Sequence, residues 1–503
     1  MFKKLFFIFV LLFSCLNAKD VLVVGVENET ERLNPLYDED HNVMLGLVFN
    51  GLFSYRNDTL EKDLVKDVKK DGLVYTFTLR DDVYFHDGAK LSSDDVIYTL
   101  NLARDEKLNS EVLGNFLDIK EISKIDDLSF KVTLKHPYPS FYEVLSLGIM
   151  PKHIVEKIGL DEFDKHPVGT GPYKFVERKS GEYIKLVAND KFYKHKAHIK
   201  EVILKFIQDP NLVALELENN KLDISIVAPI FLDKLAKNNK VNYQIMPSND
   251  YRALMFNMKK FHNKDFRKAI DLAICKEDLV KGILNNLGSV ANNPIEKQVK
   301  TDIAYSTCNK DLAKQKLIDL GYTLKNNKFY DKDGKALSFD IYTFNFDLLR
   351  TQMAYYIKQE LDKVGISANV YAKEHGSFEI DKVDSFLIGW GSVYGADFYT
   401  YRVFSKEYDV ETNENGLNYN HYDDAEVSKY LNLARITDNE KEKNEYYTKA
   451  MLALKDNPPY VFLAYIDYVI AFNKNLKGVK NHALGHHGNG YLYGIEDFYY
   501  EDK

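Results

Sequence analysis

Between residues 202 and 227 the chain changes period twice, and that limits the architectures open to it. VILKFI at 202–207 reads as a strand, Asp209-Pro210 caps and opens a helix to about Asn220, and DISIV at 223–227 reads as a strand again. Strand–helix–strand units of this kind build α/β layers. The order recurs downstream. A strand over 251–258 leads into helices over 265–275 and 276–285. Asp347 then caps a helix that ends at Gly365, where glycine suits the left-handed C′ position, and a strand over 366–370 follows.

Residues 53–170 have another texture. YTFTL at 75–79 alternates strictly, as do Phe130, Val132 and Leu134, which marks antiparallel strands with one wet face. Between them Ser92, with Asp95 three residues on, starts a helix. This segment is an α+β unit inserted between two α/β regions. The DKDG at 331–334 lacks the later ligands of a calcium loop and reads as a hairpin turn between 329–330 and 337–341.

The first 18 residues carry Lys3 and Lys4, an apolar run over 5–13 and a small Ala18, the parts of a secretory signal cleaved before Lys19. That run is shorter than the roughly 20 residues needed to span a bilayer. Leu12-Phe13-Ser14-Cys15 fits a lipoprotein box poorly, so cleavage is favoured over an anchor at Cys15. The roughly 485 residues that remain exceed the ~250–300 at which one core divides. A net charge of −8 disfavours nucleic acid, which needs a basic face. Cys275 and Cys308 allow at most one disulfide, their spacing is not diagnostic, and separate buried thiols are the expectation.

Catalytic signatures are absent: there is no GxSxG, no HExxH and no GxxxxGK[ST]. The unusual feature is LGHHGNG at 484–490, with His482 just upstream, in a chain of 13 histidines. Adjacent histidines on a strand point to opposite faces, whereas on a glycine-rich loop both can turn to one centre. The competing interpretation is a solvent-exposed polar loop.

Three further stretches carry a resemblance. PVGTGPYKF at 167–175 with GEYIKL at 181–186, FRKAIDLAI at 266–274, and DVYFHDG at 82–88 resemble segments of the solute-binding proteins for peptides and nickel. The matches spread over most of the mature chain in the expected order. The resemblance implies an α/β, two-lobed periplasmic-binding-protein fold (type II, cluster C) with an extra α+β domain inserted in lobe I. It implies boundaries at 19–52, 53–170 (the insertion), 171–248, 249–476 (lobe II) and 477–503 (return to lobe I). It also implies a non-enzymatic, monomeric chain in the periplasm that passes its ligand to an inner-membrane ABC permease.

FLIGWGSVY at 386–394 speaks to ligand choice. Peptide-binding relatives place an Asp three residues after this Trp, where this chain has Val393; nickel-binding relatives carry Trp-x-x-x-Tyr, which Trp390 and Tyr394 fit. Both rings could equally be packing residues. The implied cargo is Ni(II) chelated by a small molecule such as histidine, the alternative being a di- or oligopeptide. The loop histidine of nickel-binding relatives falls at Tyr408 here, so His486, His487, His482 and His41 are the candidate imidazoles, a donor type that suits Ni²⁺. For chelator carboxylates the candidates are Arg104, ranked first, then Arg402; Arg350, early in its helix, reads as solvated.

Overall fold

The computed structural model describes residues 19–29, 32–37, 43–56, 58–108, 110–305, 307–391, 395–413 and 416–501. Residues 1–18, read from the sequence as a secretory signal, with Cys15, and the candidates His41 and Tyr394, lie outside the described residues.

Two large sheets organise the chain. In the first, seven strands run in the spatial order Val241–Met246, Tyr468–Asn473, Ile224–Val227, Val21–Val26, Glu201–Phe206, Tyr183–Ala188, Tyr173–Lys179. Val21–Val26 pairs in parallel with strands on both sides, which ties the start of the described chain to residues some 200 positions on. The second sheet has the order Gly288–Val290, Tyr460–Ile466, Tyr251–Phe256, Ser385–Trp390, Ser338–Phe344, Ser367–Lys373. Every residue of Tyr251–Phe256 is buried, as expected of a central strand covered on both faces. Between strands of the first sheet lies the insertion, whose four antiparallel strands Val65–Asp71, Val74–Leu79, Ser129–Leu134 and Ile119–Asp126 pack with the helix Ser93–Ala103.

Local signals hold where the chemistry is local. Asp347 accepts from Arg350 N–H at 2.8 Å, and the helix Leu348–Val364 ends on Gly365 at φ 92°. Ser92 and Asp95 form a capping box. The DKDG stretch is a turn closed by Asp331 N–H to Lys335 O at 2.9 Å. Neither Gly169 nor Gly171 has a positive φ, but a Cβ there would lie 2.1 Å from Val48 O and 2.4 Å from Leu47 O, respectively. Close backbone approach is what excludes a side chain. His86, from the FHDG stretch, clasps this segment: Gly169 N–H donates to Nδ1 at 3.3 Å, and Nε2 lies 3.0 Å from Gly171 O. Burial pushes the imidazole down to about 4, so the ring is neutral and Nε2 is the donor.

Two expectations are corrected. Cys275 and Cys308 are joined by a disulfide, with Cα atoms 4.9 Å apart. The chain returns to the first sheet at Asp467, because Tyr468–Asn473 belongs to that sheet, so the crossing precedes the boundary expected at 476–477. The outward crossing at 247–250 runs beside the return: Ser248 Oγ donates to Ile466 O at 2.5 Å and Ile466 N–H to Asp250 O at 2.9 Å. The histidine loop is stitched to the same place, by Leu484 N–H to Pro247 O at 2.8 Å and Asn249 N–H to Leu484 O at 3.3 Å.

Candidate functional site

The backbone around the paired histidines is set by glycine and by one carboxylate. His486–Gly488 forms a single tight turn in which His487 takes φ 52°. Gly488 sits at φ 73°, and a Cβ there would meet Ile226 Cδ1 at 2.5 Å. The left-handed step brings the two imidazoles onto one side, with ring centroids 4.1 Å apart, where a strand would have opposed them.

Asp250, fully buried at the crossover, is the hub. Its Oδ1 pairs with Arg252 Nη1 and lies 2.9 Å from His486 Nδ1; its Oδ2 accepts from the Tyr468 hydroxyl and, at 3.1 Å, from His487 N–H. Desolvation acts to raise this carboxyl. The charge of Arg252, with the hydrogen bonds from His486 and Tyr468, outweighs it and holds the group well below the usual carboxylate range. His486 is shifted down from the ordinary imidazole value, first by burial, opposed by Asp250 and reinforced by Arg252 and Arg350. It is therefore neutral at pH 7. With Nδ1 committed to Asp250, coordination of a metal by this ring would use Nε2, the carboxylate–histidine arrangement that orients ligating imidazoles.

Aromatic rings wall the site. His486 stacks on Trp390 with centroids 6.3 Å apart and planes at 26°, and its N–H donates to Gly391 O at 3.1 Å. Trp390 in turn meets Tyr399 and Tyr419 at 5.4 and 6.3 Å. Tyr399 opens onto a cavity between the lobes, lined also by Phe398, Arg402, Phe116, Gly490 and Tyr493.

The other candidates are scattered. His482 lies with Nδ1 3.1 Å from Lys480 O and Nε2 2.8 Å from Gly490 O, and stacks on Tyr493. It braces the two ends of the loop instead of joining the pair. Arg104 is turned to its own domain, donating to Asn101 Oδ1 at 3.0 Å and Ile119 O at 3.2 Å. Arg402 is buried in the cavity wall, its guanidinium 5.9 Å from the Tyr408 ring.

Arg350, expected to be solvated, is only 4% exposed, with Nε 3.0 Å from Asp347 Oδ2. Glu27, on the first lobe, is crowded by protein although solvent reaches it. Burial and then Asp347 push its carboxyl up to about 7, against the charges of Arg350 and Arg252. These groups and the histidine pair therefore share one electrostatic neighbourhood at the hinge. Asp250, Arg252 and Tyr468 were invisible to sequence reasoning: no motif marks them, and Asp250 reads only as punctuation at a crossover.

Among the described residues, the one group of three metal-type donors whose ligand atoms converge is Asp381, Glu411 and His421. There Glu411 is paired with Lys259 and Lys382, and His421 has both ring nitrogens engaged, with Asp409 at 2.9 Å and Asp381 O at 3.2 Å. It is an ion-paired surface network. No helix among the described residues is long and apolar enough to cross a membrane.

Residues 59–412 match the model for bacterial extracellular solute-binding proteins, family 5. The crystal structure of NikZ from Campylobacter jejuni in complex with Ni(L-His) is 40% identical, with a TM-score of 0.92 covering 96% of this chain and 99% of that one. The oligopeptide-binding protein AppA of Bacillus subtilis (strain 168) is 28% identical over 494 residues, 92% of this chain and 89% of its own. The structure of AppA in complex with a nonapeptide has a TM-score of 0.85 at 26% identity, covering 96% of this chain and 99% of that one.

Proposed function

As the chain belongs to the family 5 bacterial extracellular solute-binding proteins, we propose that its cargo is Ni²⁺ held as a small-molecule chelate, histidine being a suitable chelator. In this proposal residues 1–18 are removed on export, the mature chain works in the periplasm, and the loaded form is read by an inner-membrane ABC permease.

The observation that carries the reading is the hinge pair: two imidazoles on one side of a strained turn, one of them neutral and oriented by a buried carboxylate. Neutral imidazole suits Ni²⁺, and a chelate that arrives with its own donors needs only a few from the protein. His486 and His487 supply them, Trp390 and Tyr399 form the apolar wall, and Arg350 faces the chelator's carboxylate. The similarity to a protein crystallised with Ni(L-His) supports the same cargo. The peptide reading has its own support in the full-length similarity to AppA and in the cavity continuing from Tyr399 past Arg402. Such a ligand needs an anchor for its terminal ammonium, and Val393 has no charge to offer.

Arg350 separates metal from chelator. Replacing Arg350 by alanine is expected to weaken nickel–histidine binding by about 1.5–3 kcal/mol, the scale of a charge-assisted hydrogen bond. Binding of NiCl₂ without histidine should change little. Calorimetry on the two solutions reads the difference, and equal losses in both would remove the carboxylate role.

A further inference from the structure

Arg435 is one of the arginines buried where the inserted domain meets the second lobe. Arg435 ends the helix Ala425–Arg435 and is only 5% exposed. Its guanidinium lies between two aromatic rings, Tyr138 from the first lobe and Tyr401 from the second, each with its centroid 4.8 Å away. Nη2 is 3.3 Å from Asp118 Oδ2 on the first lobe, and Nε is 3.6 Å from Asp397 Oδ2 on the second. Asp118 is fixed from its other oxygen by His136 Nε2 at 2.9 Å. Tyr408 and Tyr447 complete the surroundings, with Glu143, which accepts from Gly395 N–H across the same interface at 3.0 Å.

The partners have a common consequence. Asp397 and Tyr401 belong to the helix Asp397–Phe404, which also carries Phe398, Tyr399 and Arg402 of the cavity wall. Arg435 therefore grips the wall helix with one side and the first lobe with the other. We propose that Arg435 is a positioning residue for ligand capture, fastening the wall helix to the first lobe so that the ligand cavity is completed only when the lobes meet.

Parting the lobes removes Asp118 and Tyr138 from the guanidinium. In the joined state, losing the arginine leaves Asp118 and Asp397 across the seam without the guanidinium that joins them, Asp118 keeping only His136 and Asp397 only the more distant charge of Lys443, an arrangement that disfavours closure. A lysine keeps the charge but has no planar face to lie between two rings, so it restores the contact only in part. The exposed pair Lys70–Asp438, 2.8 Å apart at the rim of the same interface, is the natural control, because solvent screens it.

The test uses the mature chain as wild type, Arg435→Ala, Arg435→Lys, Asp118→Asn and Lys70→Ala. Small-angle scattering of the ligand-free proteins reads lobe separation, and fluorescence of Trp390, the sole tryptophan, reads titration with NiCl₂ plus L-histidine. R435A is expected to scatter as a more extended molecule and to bind about tenfold more weakly at unchanged stoichiometry, because the binding-competent fraction falls. R435K should lie between, D118N should shift in the same direction as R435A, and K70A should match wild type. Wild-type scattering and affinity in R435A would overturn the proposal. If R435A fails to fold, R435K and D118N decide by the same two readouts. Should the wild type bind no nickel–histidine, the cargo reading fails on its own and scattering alone decides this one, with unchanged profiles in the variants overturning it.

Discussion

Alanine at position 486 is expected to lower the affinity for nickel–histidine by at least about 100-fold, more than the ~10–100-fold that follows loss of an outer-shell partner. His486 is the imidazole that the structure has prepared most fully. Burial keeps it neutral, Asp250 holds Nδ1, Trp390 covers one face, and its backbone N–H is fixed to Gly391. Its pKa lies below the ordinary imidazole value, so the neutral form persists to lower pH than in a free histidine. Proton competition from this ring should therefore set in at lower pH than it would for an ordinary imidazole. Calorimetric titration of wild type and H486A, with far-UV circular dichroism as the control for folding, checks both statements. Unchanged affinity in H486A and in the matching His487→Ala variant would make the pair part of the scaffold and nothing more.

The second large effect is expected at Asp250. Alanine there removes the partner of Arg252, which is itself buried, and breaking one side of a buried pair costs about 3–5 kcal/mol. The same change frees the His486 ring and the Tyr468 hydroxyl, so stability and nickel affinity should fall together. Asparagine keeps the shape without the charge and should be milder in both. The pH dependence has a definite sign. A carboxyl held below its unfolded value contributes stability above about pH 3.9, and that contribution is lost as pH falls through the lower folded value. Denaturant unfolding of wild type between pH 7 and pH 3 should show this acid limb, and D250N should lack its share of it. A D250A protein as stable as wild type would mean that the carboxylate is not the hub of the hinge.

Much of the fold was legible because its signals are local. Asp347 with Gly365, Ser92 with Asp95, and Asp209 before Pro210 each declare a helix end through groups a few residues apart. The return crossing was misplaced because Tyr460–Ile466 and Tyr468–Asn473 are two apolar strands separated by one aspartate, with no glycine or proline between them. The LGHHGNG stretch stood out by composition, but its controlling carboxylate is 236 residues away, a pairing that no spacing rule reveals. His482 was grouped with the pair by proximity in sequence, whereas its surroundings are carbonyls that exist only once the loop has folded. Arg350 was discounted as an early helical residue, since the strand order that buries it is set by the whole second sheet. The pairing of Cys275 with Cys308 depends likewise on tertiary approach.

One measurement tests the central claim most directly: calorimetric titration of the purified protein, residues 19–503, with NiCl₂, with NiCl₂ plus free L-histidine, and with mixed dipeptides. The hinge pair and its buried carboxylate predict tight, saturable binding at one site for nickel with histidine, weaker binding for nickel alone, and little heat from peptides. Tight peptide binding with no heat from either nickel solution would contradict the account.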